Sequence, residues 1–175
     1  MVTAIQTEYA GCLFRSRLEA RWAVVFDVLG LKWRYEPEGF ELSNGKRYLP
    51  DFFIESIGWI EIKPTAELDD DKWTTFCEDN GKQDGFKAYR ITGDIPDPRF
   101  DDMPDDLTIE AAFGGLRGGS GDTGYGICVC LRCGKVGIEW DGRGGRICSH
   151  DQDKGHSADS ARIKTAYIAA RSWRF

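Results

Sequence analysis

The stretch YLPDFFIESIGWIEIKP, residues 48–64, constrains the fold more than any other part of this chain. Two apolar runs flank a short polar turn, the pattern of a β-hairpin. Side chains alternate faces along a strand, so Glu61 and Lys63 share one face and Ile60 and Ile62 the other. With the turn centred on residues 56–58, Asp51 falls opposite Lys63, and Glu61 lies one diagonal step away. A purely structural hairpin would carry Thr or Val at such positions. Two carboxylates gathered on one face stay ionised together only beside positive charge. A hard divalent cation such as Mg²⁺ or Mn²⁺ meets that need, and it also polarises a phosphodiester and acidifies bound water. Lys63 would then orient that water or balance charge developing on phosphorus. The bland alternative is a surface salt-bridge ladder of Asp51, Glu61 and Lys63.

Upstream, Leu18, Trp22, Val25 and Leu29 recur at helical spacing, predicting a helix over 16–29 that stops at Gly30. Glu19 lies beside that apolar stripe. It suits a third metal ligand facing the sheet, or the carboxylate of a Ser16–Glu19 capping box. Residues 31–42 read as one strand with Pro37 at an edge or bend, and Asn44-Gly45 turns the chain into the next strand. A second helix is expected over 66–81, with acids at its start and Gly81 at its end, followed by a strand over 86–93. The order αβββαβ predicts an α/β fold, a mixed sheet flanked by helices. Arg15, Arg17 and Arg21 crowd the first helix and Lys72 sits on the second, all candidates for substrate phosphate or for plain solvation.

The acidic, Pro-rich stretch 94–106 reads as a surface loop closing a domain over 1–113, and the Gly-rich run 114–126 as a linker. Charge divides at this boundary. Residues 1–110 hold 13 Lys/Arg against 23 Asp/Glu, whereas 111–175 hold 10 against 6. A basic module over 127–175 suits a polyanionic partner better than the overall charge of −6 suggests. That module gathers four of the six cysteines and both histidines. Cys130-x2-Cys133-Gly134 has zinc-knuckle spacing, and Cys148 with His150 follows after a short hairpin. Cys130, Cys133, Cys148 and His150 make a tetrahedral structural Zn²⁺ set, with His156 as the alternative nitrogen ligand and Cys128 in reserve. The rival is a cluster of buried thiols. The last segment predicts a basic amphipathic helix whose Arg162 and Lys164 face a phosphate backbone. No stretch approaches a membrane span and no secretory signal opens the chain, so a cytoplasmic location is expected.

FRSRLEARWAVVFDVLG, YEPEGFEL, YLPDF and WIEIKP together resemble the PD-(D/E)xK nuclease superfamily over about residues 11–95. The likeness extends to small nuclease-like proteins of bacteriophages and their actinobacterial hosts, and implies a phage or prophage origin. It implies a restriction-endonuclease-like core that hydrolyses DNA, with RNA not excluded. In it Glu19, Asp51 and Glu61 bind Mg²⁺ or Mn²⁺ and Lys63 is the catalytic lysine. Two other readings stay open: a non-catalytic nucleic-acid-binding or inhibitory adaptor on a nuclease fold, and a subunit active only with a partner protein. A homodimer would supply the two sites that paired nicking needs.

Overall fold

The structure is a computed structural model that describes residues 4–65, 71–99, 107–113, 116–117, 125–140, 147–150 and 156–175. It is mixed α/β. Helix α1 (Arg17–Val28) starts at Ser16, whose hydroxyl accepts the Glu19 N–H, and ends where Gly30 turns at φ +69°. Trp22 to Phe26 are all buried, because α1 is covered on more than one side. Before it, β1 (Thr7–Tyr9) and β2 (Cys12–Phe14) form a hairpin that the sequence reading did not include.

The expected strand over 31–42 is two strands in two sheets. Strand β3 (Trp33–Tyr35) joins the main sheet, and β4 (Phe40–Glu41) pairs with β5 (Arg47–Tyr48) around the Asn44-Gly45 turn. The break falls at Glu36, a non-glycine residue at φ +44°, just before Pro37. Strands β6 (Phe52–Ile54) and β7 (Gly58–Lys63) form the hairpin of the motif. Helix α2 (Asp71–Asn80) then crosses over to β8 (Lys87–Thr92), parallel to β7, and β9 (Thr108–Phe113) adds an antiparallel strand absent from the sequence reading. The main strands run in the order β9-β8-β7-β6-β3, with the two-residue β10 (Leu116–Arg117) on the β9 edge.

Each face of this sheet has its own apolar cluster. Ile60, Ile62, Tyr89, Ile91 and Phe52 pack toward α1, while Trp59 and Ala88, with Tyr48 of β5, cluster with Trp73 and Phe76 of α2. Phe52 is the hub of the first cluster, with its ring 5.3–6.0 Å from those of Phe14, Phe26, Trp33 and Tyr35. Strand β7 is therefore buried on both faces, which leaves Glu61 only 5% exposed.

A second sheet holds β11 (Tyr125–Cys130) between β12 (Val136–Trp140) and β13 (His156–Ser157). Helix α3 (Ala161–Ser172), capped by Ser160, follows. Ile127, Val129, Val136 and Ile138 of this sheet, and Ile163, Ala166 and Tyr167 of α3, share one apolar cluster with α1. Arg162 ties the parts further, donating from Nη1 to the Gly134 carbonyl at 2.8 Å and from Nη2 to the Leu29 carbonyl. Residues 100–106 of the expected acidic loop, 114–115 and 118–124 of the expected linker, and 66–70 of the second expected helix lie outside the described residues. No helix among the described residues is long and apolar enough to cross a membrane.

Candidate functional site

The hairpin brings its two acids closer than the sequence predicts. Phe52 pairs with Ile60, Phe53 with Trp59 and Ile54 with Gly58, so the same register places Asp51 level with Glu61, not Lys63. The turn is 55–57, closed by the Ile57 N–H to the Ile54 carbonyl at 2.9 Å. Gly58 belongs to the strand. A Cβ there would meet the Lys87 carbonyl oxygen at 2.3 Å, so glycine serves the close approach of β7 to β8 and does not make the turn.

Asp51 is 3% exposed. Its Oδ2 accepts the Ile62 N–H at 2.7 Å, and its Oδ1 lies 2.6 Å from Arg15 Nη2. Glu61 accepts the Tyr48 hydroxyl at 2.7 Å on Oε2, and its Oε1 lies 3.0 Å from Lys63 Nζ. Glu19 bonds both to its own helix start and to a residue of β3. Its Oε1 accepts the Ser16 hydroxyl at 2.7 Å in the capping box, while its Oε2 accepts the Tyr35 hydroxyl at 2.6 Å. Burial above all, then the charges of Glu61 and Glu19, push the Asp51 carboxyl well above the usual aspartate range, against the pull of the Ile62 N–H and Arg15. Asp51 thus feels both other acids, one on a helix and one on a strand.

Sequence reasoning missed the groups that hold these acids. Tyr35 links Glu19 to the backbone N–H of Arg15, which it accepts at 3.0 Å. Glu36 bonds its N–H to the Asp51 carbonyl at 2.8 Å and sets its carboxylate 2.6 Å from Arg15 Nε. Tyr35-Glu36 and Tyr48 stand inside the sequence motifs, so the aromatic hydroxyls that meet Glu19 and Glu61 were the available signal. Among the other candidate cations, Arg17 and Lys72 are exposed on α1 and α2, and Arg21 is half-buried. Arg162 is engaged by two carbonyls, and Lys164 lies 2.6 Å from Asp159. Arg15 and Lys63 are the candidate cations with charged contacts to Asp51 and Glu61.

The cysteine module is built differently. Cys130 ends β11, and a turn carries Cys133 back, with the Gly134 N–H on the Cys130 carbonyl at 2.8 Å and Gly134 at φ +72°. Cys148 and His150 approach from the other side. The ligand atoms of Cys130, Cys133, Cys148 and His150 all lie within 4.8 Å of one another, the one such set of four among the described residues. His150 Nδ1 is 3.4 Å from both Cys130 Sγ and Cys148 Sγ. Zn–S bonds of about 2.3 Å and Zn–N bonds of about 2.0–2.1 Å at tetrahedral angles put S and N about 3.5 Å apart, so the donors fit zinc. Burial would raise the Cys130 thiol, but the N–H groups of Cys133 and Arg132 bring it down to about 6. Cys128, the reserve ligand, sits opposite Gly137 in β11 and is not one of the four. The Glu19, Asp51 and Glu61 oxygens form no such closed set.

Compared with known proteins, the chain matches no family model, no curated protein and no solved structure.

Proposed function

We propose that α1, β3, β6–β7, α2 and β8 form a nuclease core of the PD-(D/E)xK kind, and that the chain is a Mg²⁺- or Mn²⁺-dependent DNA endonuclease. The observation that carries this reading is a buried, mutually repelling acid pair, Asp51 and Glu61, with the ammonium of Lys63 at 3.0 Å. Burying two carboxylates side by side costs stability unless a cation compensates them. Hard oxygen donors of this kind suit Mg²⁺ or Mn²⁺. A bound ion would polarise the phosphodiester and acidify its water. Asp51 and Glu61 would hold it, with Glu19 as third acid. Lys63 would orient the attacking water, and Tyr48 fixes the Glu61 carboxylate so that Oε1 faces Lys63. The Cys/His module, with zinc in a structural role, and basic residues of α3 other than Arg162 would engage the nucleic acid.

The test is purified protein with plasmid, single-stranded DNA and RNA in Mg²⁺ or Mn²⁺. Wild type should nick, and Lys63→Ala should lose activity by about 100-fold or more, the scale of a lost electrostatic catalyst. Equal inertness of both on every substrate defeats the proposal. A second reading, the non-catalytic adaptor, is favoured by one observation: each acid already has protein partners, with Arg15 on Asp51. It predicts salt-sensitive nucleic-acid binding that survives in Asp51→Asn, with no cleavage at any metal concentration.

A further inference from the structure

A fifth donor, His156, stands beside the zinc-type set of four. His156 lies directly across from Cys130 in the β11–β13 pairing, and its Nε2 is 3.2 Å from Cys148 Sγ. That is close to the sulfur–nitrogen edge of a zinc tetrahedron, as are the two distances from His150. The other ring nitrogen, Nδ1, meets Glu139 Oε2 at 2.7 Å, and Glu139 Oε1 accepts the Ile147 N–H at 2.9 Å. A carboxylate on the far nitrogen is how metal-bound imidazoles are oriented. The His156 and Glu139 side chains are only 3% and 4% exposed. A buried Glu–His pair set on strands and aimed at a thiol is a poor apolar filler, and it has the form of a ligand with its support. Cys133, by contrast, is exposed on a turn.

We propose that His156, oriented by Glu139, is a second imidazole ligand that replaces Cys133 in the metal's coordination shell, so that the centre can pass between Cys3His and Cys2His2 without releasing zinc. The proposal does not depend on the nuclease reading. Charge favours the exchange. Three thiolates and one imidazole leave Zn²⁺ with a net charge of about −1 beside the buried Glu139 carboxylate, whereas two thiolates and two imidazoles make the centre neutral. Geometry favours it too, because Cys130 and His156 are fixed by strand pairing and Cys148 follows Ile147, which is bonded to Glu139. The donor with least support is the one replaced.

The experiment is Zn²⁺ titration against a competing chelator for wild type, Cys133→Ser and Cys133→Ser/His156→Ala. A parallel measurement is ¹⁵N-imidazole NMR of the ¹¹³Cd²⁺-loaded proteins. Cys133→Ser should keep one metal per chain with affinity within about 10–100-fold of wild type, the range of a perturbed but intact site. It should show cadmium coupling to two imidazoles. The double variant should bind weaker still by more than about 100-fold, beyond what loss of an outer partner costs. Release of zinc by Cys133→Ser overturns the proposal, as does equal binding by the single and double variants. Cadmium coupling to His150 alone in Cys133→Ser also overturns it, and that readout does not require any histidine variant to fold.

Discussion

Asparagine at position 51 separates the electrostatic reading of the acidic site from a merely structural one. The side chain keeps its size, and its carbonyl oxygen can still accept the Ile62 N–H, now at 2.7 Å. The pair with Arg15 is lost, but Arg15 is 52% exposed and keeps Glu36, so that loss is about 0–1 kcal/mol after solvent screening. The opposing gain is removal of a buried charge from beside Glu61 and Glu19. Because the folded value of Asp51 is raised, the native protein keeps a proton that the unfolded chain has released. The wild type therefore loses stability as pH rises from about 4 through the folded value. Asparagine does not titrate, so the stability difference moves in favour of Asp51→Asn as pH increases across that window. Divalent metal should reverse the ranking. At one hundred times its dissociation constant Mg²⁺ stabilises the wild type by about 2.7 kcal/mol, a rise in Tm of about 5–11 °C for a chain of 175 residues. Its affinity should also increase with pH, because Mg²⁺ displaces the Asp51 proton. Scanning calorimetry of zinc-replete protein between pH 5 and 8, with and without Mg²⁺, reads both effects. A Tm rise in Asp51→Asn equal to that of wild type would refute the metal assignment. A stability difference that moves toward the wild type as pH rises would refute the charge argument.

Two further substitutions test how the site is supported. Gly58→Ala places a Cβ 2.3 Å from the Lys87 carbonyl oxygen at a φ of +131°, and should cost about 3 kcal/mol or more by forcing β7 away from β8. A urea midpoint within error of wild type would contradict that close approach. Arg162→Met leaves the Leu29 and Gly134 carbonyls without their guanidinium and should cost about 1–3 kcal/mol in the same assay. Its nucleic-acid affinity should stay unchanged, whereas a reduced salt slope would mean that Arg162 contacts phosphate after all.

What could be read from the chain was what short-range physics dictates. Ser16 and Glu19, three residues apart, start α1 in any context that tolerates a helix, and the apolar spacing to Leu29 extends it. Asn44-Gly45 makes its turn because the backbone there needs φ above zero, +76° at Gly45. Cys130-x2-Cys133 closes on itself for the same kind of reason, since one turn suffices to bring both sulfurs together. Local rules failed where a residue answers to a distant partner. Gly58 looks like a turn residue, yet its neighbour is Lys87, 29 positions away, and that mistake shifted the expected register and set Asp51 against the wrong residue. The strand over 31–42 looks continuous because nothing near Glu36 announces that its N–H will be drawn to the Asp51 carbonyl.

The two candidate centres differ in the same respect, and this explains why one could be located almost completely and the other only in outline. A thiol or imidazole donor is usable wherever the chain can loop back, so spacing marks Cys130, Cys133 and Cys148, with His150 and His156 as the two candidate nitrogen ligands. A buried carboxylate is tolerable only if the fold supplies its partners, and here those come from Arg15, Tyr35 and Tyr48, on separate elements. Glu139 extends the point to the metal module. On an alternating strand it reads as a solvent-facing acid beside Ile138, yet it is 4% exposed and supports His156. Its partner His156 is brought in by the β11–β13 pairing, which no local pattern announces. A charged residue interrupting a strand is therefore better treated as a question about what lies across the fold than as a sign that one face meets water.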